Sequence, residues 1–124
     1  MLVVITRERV IPLILEACPS FREVWQKSSE QSLYLAVGDF ARHLLQLQQQ
    51  DQTEEFAAVG QLIERLHIEG DHYVREAATL ALFEGIQDVW GKNHVDPELF
   101  LPYLLPESAR RWRSLKDFWD GKGR

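Results

Sequence analysis

A chain of 124 residues, 45% hydrophobic and 27% charged, has the size and balance of one globular domain that buries its own core without staples. Its single cysteine, Cys18, excludes an intrachain disulfide and any zinc site built on two cysteines, and suits a reducing compartment. The net charge of -5 is unevenly spread: residues 106–124 hold six Lys/Arg against three acids, leaving eight against sixteen in the first 105. An acidic body of this kind repels nucleic acid and favours a basic protein partner, although a solvated face accounts for the same count.

The opening MLVVI is too short for the apolar core of a signal peptide and is followed at once by charge. No apolar run approaches the ~20 residues of a membrane span. The expectation is a cytoplasmic domain over residues 1–124, with 121–124 as a frayed end.

Thr6 precedes a helical spacing of Val10, Ile11, Leu13, Ile14 and Ala17 that ends near Cys18 and Pro19, with Pro12 tolerable near the first turn or at a kink. Ser20 and Glu23 read as a capping box opening a short helix over 21–31, with Val24 and Trp25 as its buried face. From Ser32 to Gln49, Leu33, Val37, Phe40, Ala41, Leu44, Leu45 and Leu47 share one arc, with Asp39, Arg42, His43 and Gln46 opposite. Thr53, Glu54 and Glu55 start the next helix through cap and dipole together. That helix buries Phe56, Val59, Ile63 and Leu66 and stops at Gly70.

Asp71 to Gly91 is the longest unbroken helical pattern. Asp71 can cap its first turn, and Gly91 can take the left-handed conformation that closes the last. Val74, Ala78, Ala81, Leu82, Gly85, Ile86, Val89 and Trp90 cover an arc wide enough to pack on more than one neighbour, while Glu76, Glu84, Gln87 and Asp88 face away. Ala77, Ala78, Ala81 and Gly85 form a small-residue flank that lets another helix approach closely. The Gly70-Asp71 connection makes this helix and the one before it adjacent and roughly antiparallel.

Asp96 and Pro97 form a compact start signal, and Pro102 and Pro106 limit the LFLPYLLP segment to about two turns. A last helix from Pro106 buries Trp112, Leu115 and Trp119 on one face, while its basic residues meet the acidic body. The chain is thus all-α, a single-domain antiparallel array of six or seven helices. Tyr34 and Tyr73 open two similar helices 39 residues apart, close to the period of a HEAT-like α-α superhelix, and a plain bundle stays open beside it.

Motifs that carry chemistry are absent: no glycine-rich phosphate loop, no dinucleotide fingerprint, no HExxH, no GxSxG, and so no expected cofactor. His67, His72 and Glu76 could supply three ligands to a divalent metal across the Gly70 turn, which makes a small helical enzyme or metal-binding protein the alternative reading. Histidines near a helix end and a solvated acid explain the same residues. Glu84 and Asp88 are a four-spaced carboxylate pair that, with Glu76, suits the docking surface of a basic partner better than acid-base catalysis. Cys18 reads as a buried structural thiol. The arginine- and tryptophan-rich tail has the composition of a nucleic-acid or lipid patch, but tryptophans seven apart share one helix face and are better docked into the core.

Three stretches, YLAVGDFARHL, the GD turn leading to YVREAATLALFEGIQDVWG, and LPESARRWRSLKDFWDG, resemble small all-helical bacterial proteins of unknown function proposed as immunity proteins for polymorphic toxins. The resemblance spans about Leu33 to Gly121. It implies a helical protein-binding domain and supplies no catalytic residue. The expected function is therefore a non-enzymatic interaction domain that takes a basic protein partner, and neither nucleic acid nor membrane, through Glu76, Glu84 and Asp88.

Overall fold

The computed structural model describes residues 4–29 and 32–122, and of Lys122 only the backbone. Among these residues the protein is all-α. Helices α1 (Arg7–Ala17), α2 (Arg22–Lys27), α3 (Leu33–Gln49) and α4 (Phe56–Glu69) are followed by the long central helix α5, and α6 (Pro106–Lys122) ends the chain. The central helix starts as His72–Glu76 and continues without a break, wound as π-helix over Ala77–Phe83 and Ile86–Trp90. Short 3-10 turns at Pro19–Phe21, Pro97–Leu99 and Leu101–Tyr103 join the pieces. The only extended pairing among the described residues is a parallel bridge between Ile5 and Gly70, made by Ile5 N–H to Glu69 O and Asp71 N–H to Ile5 O.

Helix α5 packs its small-residue flank on α3, as its spacing predicts. A Cβ on Gly85 would come within 3.2 Å of the Ala41 methyl, and Trp90 Nε1 donates to the Ala41 carbonyl. Tyr34 and Tyr73 meet edge to face with centroids 5.4 Å apart, so α3 and α5 run in the same direction, with α4 antiparallel beside them. Helix α6 also runs along α5, with Ser108 near Thr79 through His67, and Trp112 beside Phe83 and Gln87. The core is one cluster centred on Phe100, whose ring meets those of Phe56, Trp90, Tyr103 and Trp112.

Several ends differ from their sequence signals. Gly91 is helical, with φ -60 and ψ -42, and the left-handed residue is His94, at φ 61. The His94 N–H bonds Gly91 O and the Val95 N–H bonds Trp90 O, the paired bonds of a Schellman end. Helix α3 ends the same way on Asp51, at φ 57, with Gln52 N–H on Leu47 O. Asp and His are among the non-glycine residues found most often in this conformation, so neither end needed glycine. Gly70 is extended, at φ -72, and is required for room: a Cβ there would overlap the Leu66 carbonyl oxygen and meet Val74 Cγ1 at 2.6 Å. Asp71 does cap α5, accepting from Val74 N–H at 2.9 Å.

Neither Thr53 nor a Ser20-Glu23 box caps a helix, because Ser20 is engaged elsewhere and α4 begins at Phe56. Helix α2 stops at Lys27, and residues 30–31 of the longer expected helix lie outside those described. At the far end α6 continues through Gly121 to Lys122, where fraying was expected, and 123–124 lie outside the described residues. His43, assigned to the polar face of α3, is buried.

Gly60 and Gly38 both sit inside helices but face different surroundings. A Cβ on Gly60 would overlap the Tyr103 carbonyl oxygen, whereas one on Gly38 meets nothing within 4 Å. Gly60→Ala should cost about 3 kcal/mol by overpacking, and Gly38→Ala should gain roughly 0.5–1 kcal/mol from helix propensity. Urea denaturation midpoints of the two variants should move in opposite directions.

Candidate functional site

The position of α6 is set by a chain of hydrogen bonds that begins on α4. Glu64 accepts from the backbone N–H groups of Glu107 (3.1 Å) and Ser108 (2.8 Å) and from the Ser108 hydroxyl (2.8 Å). It thereby caps the first turn of α6 from another helix, supplying acceptors to N–H groups that have none within their own helix. Burial works against the Glu64 anion, but these bonds overcome it and hold its pKa below the ordinary value. The Ser108 hydroxyl gives its single hydrogen to Glu64 and must accept from His67 Nδ1, at 2.9 Å. That fixes the tautomer, and His67 Nε2 accepts from Thr79 Oγ1 at 3.1 Å. His67 is 2% exposed, and burial, reinforced by Arg111, lowers its pKa to about 4. It is a neutral clamp joining α4, α5 and α6.

With α6 so placed, its outer side and the second half of α5 enclose a groove of about 580 Å³. Helix α5 contributes Glu84, Gln87 and Asp88, the Pro97 turn contributes Glu98, and α6 contributes Trp112, Lys116, Trp119 and Asp120. Glu98 accepts from Trp112 Nε1 at 2.7 Å and from Lys116 Nζ at 2.8 Å; the lysine bond is the main cause of its lowered pKa. Asp88 pairs with Lys92 at 3.1 Å. Half-buried Glu84 has no ion pair among the described residues. Trp112 is fully buried, whereas Trp119 keeps 43% of its surface exposed, contrary to the expectation that it docks in the core. Among the described residues the expected ion pairs between the basic tail and the acidic body reduce to Lys116 on Glu98, since Arg110 and Arg111 pair with Glu107 on their own helix.

Glu84 and Asp88 therefore share one site, but Glu76 does not join them. It pairs with His72 at 3.0 Å beside a separate recess lined by Arg75, Leu80 and Arg111. Eight residues, about two turns or ~12 Å along the axis, separate Glu76 from Glu84, and at ~100° per residue the two already point about 80° apart. The metal reading of His67, His72 and Glu76 is corrected as well. Both His67 nitrogens are used inside the core while His72 points to solvent, and among the described residues no group of three His, Cys, Asp or Glu could hold a metal ion.

Sequence reasoning missed Glu98, Lys116 and Asp120 because the 3-10 turn and α6 converge on α5 only through tertiary packing. A wider groove of about 850 Å³ between α1, α2 and α3 is lined by Ile11, Leu15, Trp25, Leu33, Arg7 and Arg22 among others, and lacks the acidic character of the first.

A second network, nearer the surface and closing over buried His43, mirrors the His67 chain. Ser20 Oγ donates to Glu55 Oε1 at 2.5 Å, Ser20 N–H donates to Glu55 Oε2 at 3.2 Å, and His43 Nε2 donates to Ser20 Oγ at 2.8 Å. A serine beside a histidine suggests a nucleophile, but here the carboxylate holds the serine rather than the histidine, and it also occupies the adjacent N–H that would stabilise an oxyanion. The arrangement is a latch between the α1-α2 junction and helices α3 and α4. Cys18 Sγ donates to Glu55 Oε1 at 3.4 Å, and burial pushes its pKa up to about 12.

The model of a family described as a domain of unknown function, DUF7674, matches residues 11–120. The chain belongs to this family. No curated protein and no solved structure matches it. The DUF7674 match begins inside α1, well before Leu33 where the resemblance starts, so it takes in both histidine networks as well as the groove. The family's description names no activity, substrate or partner.

Two measurements check these assignments in the DUF7674 protein. His43 and His67 both have pKa values lowered from 6.5, chiefly by burial, so the unfolded chain binds more protons and stability falls as pH drops from about 6.5 toward 4. His67 alone should cost about 2 kcal/mol between pH 7 and pH 5; an unfolding free energy that stays flat over that range would contradict the buried neutral imidazoles. Native Cys18 should resist iodoacetamide at pH 8 and become alkylated only in denaturant, as mass spectrometry would record.

Proposed function

We propose that this protein is a non-enzymatic interaction module that captures a basic segment of a protein partner in the groove between α5 and α6. One observation carries the reading: Glu84, Asp88, Glu98 and Asp120, from three separate chain segments, converge on a groove that also exposes Trp119, and among the described residues Lys116 is the only basic one in its lining. Acids gathered this way set up a negative potential that a basic partner would complement on binding. The wall formed by Trp119 adds apolar area of the kind that anchors interfaces.

Within this reading the partner is a basic toxin and the protein a cytoplasmic bacterial immunity factor, as the resemblance of its α3, α5 and α6 segments suggests. The matched, same-direction packing of α3 and α5 through Tyr34 and Tyr73 agrees with a HEAT-like helix pairing, an architecture that suits protein binding.

A fluorescent peptide of alternating lysine, arginine and glycine provides the test. It should bind with an affinity that falls as salt rises, and Glu84→Lys with Asp88→Lys should weaken binding at least about tenfold and slow association. Glu16→Lys with Glu23→Lys makes the same change in net charge outside the groove and should leave the affinity nearly unchanged. Equal losses from the two double variants would reduce the effect to net charge and defeat the proposal.

A further inference from the structure

Helix α2 buries no side chain fully; Val24 and Trp25 are partly covered, and the rest of the helix is exposed. Trp25 and Arg22 line the groove of about 850 Å³ whose other walls include Ile11 and Leu15 of α1 and Leu33 of α3. The turn that leads into α2 is held more firmly. Phe21 is fully buried there, its ring 5.1 Å from that of Phe40 and 5.5 Å from that of His43. Ser20 beside it supplies a polar tie to Glu55 and His43.

The imidazole at this junction has no good place for a second proton. The Ser20 hydrogen goes to Glu55, so His43 donates from Nε2 and its basic nitrogen is Nδ1, a buried atom with no hydrogen-bond partner. A proton arriving there creates a charged ring that is 8% exposed and an N–H that lacks an acceptor. Burial therefore holds the pKa below 6.5 against the opposing pull of the Glu55 carboxylate. The Cys18 thiol, which also faces Glu55, is kept neutral by burial, and Asp39 and Arg42 on the histidine's own helix pair with each other. His67 differs in having both nitrogens bonded, to side chains of α5 and α6.

We propose that the segment from Pro19 to Lys27 is an acid-released strap: protonation of His43 frees it from α3 and the start of α4, uncovering Cys18 and the apolar walls that α1 and α3 give to the groove. Once the strap lifts, Nδ1 of His43 reaches water and its charge is solvated. The neutral ring favours closure, so closure is complete above about pH 6.5 and is lost progressively as pH falls below it. Opening is local because the segment withdraws one fully buried side chain, Phe21, whereas charging His67 requires the junction of α4, α5 and α6 to come apart.

Labelling of Cys18 in the whole protein with a dipyridyl disulfide, which reacts with thiols in acid as well as at neutral pH, reads the opening. Its rate, normalised to the denatured chain at each pH, should rise at least about fivefold between pH 7 and pH 5. Hydrogen exchange followed by mass spectrometry, corrected for the intrinsic rate at each pH, should lose protection across 19–27 while α4 and α6 keep theirs. His43→Gln keeps an amide N–H for Ser20 but takes up no proton, and should label at the same slow rate at both pH values. Labelling of the unaltered protein that ignores pH would overturn the strap. So would a His43→Gln rate that still climbs fivefold, which moves the trigger elsewhere, or exchange that rises in α4 and α6 in step with 19–27, which reduces the effect to global unfolding. If His43→Gln does not fold, the exchange pattern of the unaltered protein decides.

Discussion

A neutral imidazole held between two hydroxyls decides how the C-terminal half of this protein is arranged. His67 can donate to Ser108 and accept from Thr79 only while it carries one proton, and Ser108 can accept from it only because its own hydrogen goes to Glu64. Each member fixes the role of the next. Removing one leaves buried groups unpaired, at roughly 1–3 kcal/mol apiece, so the chain is held by more than the sum of its bonds. Because Glu64 also caps α6, the network sets the position of that helix along α5, and with it where Lys116, Trp119 and Asp120 meet Glu84 and Asp88. The groove is a consequence of a bond pattern buried some turns away from it.

The Glu55-Ser20-His43 chain repeats the same logic at the other end of α4. In both, a glutamate on α4 or at its start takes the hydroxyl and backbone N–H of a serine that closely follows a proline at a helix start, and a buried histidine donates to that serine. The two differ at the far ring nitrogen: His67 Nε2 has Thr79, whereas buried His43 Nδ1 has no partner among the described residues. The α4 helix thus stitches the α1-α2 hairpin to one side of the fold and α6 to the other. The His43 latch is the less satisfied of the two, which makes the N-terminal hairpin the part of the fold tied with less redundancy.

Helix positions were legible in the sequence because they rest on local periodicity. The spacing of Leu33 through Leu47 and of Phe56 through Leu66 reports burial directly, and Asp71 caps the helix that its position predicts. What periodicity could not report is how helices end and how polar residues pair across the fold. His94 and Asp51 take left-handed conformations that point toward glycine in a sequence reading, and Ser20 spends its hydroxyl on Glu55 rather than on its own helix. His43 looked polar by position and is buried because a serine from another segment satisfies it. Of the candidate site, Glu84 and Asp88 were readable as an outward pair. Glu76 lies apart because it sits about two turns before Glu84 and one broad polar arc spans more than one surface, and Glu98 was invisible because it reaches the groove by tertiary contact alone.

The charge pattern of the groove follows from what each acid does for the fold. Glu98 holds Trp112 and Lys116 in place, so its negative charge is already committed to the structure, and the same pairing keeps the fully buried Trp112 indole satisfied. Asp88 is balanced by a lysine one turn along its own helix. Among the described residues Glu84 makes no such pair, and it sits half-buried in a groove lined by other acids. In the proposed basic-partner reading, Glu84, which has no ion pair among the described residues, is the groove acid whose charge the fold uses least.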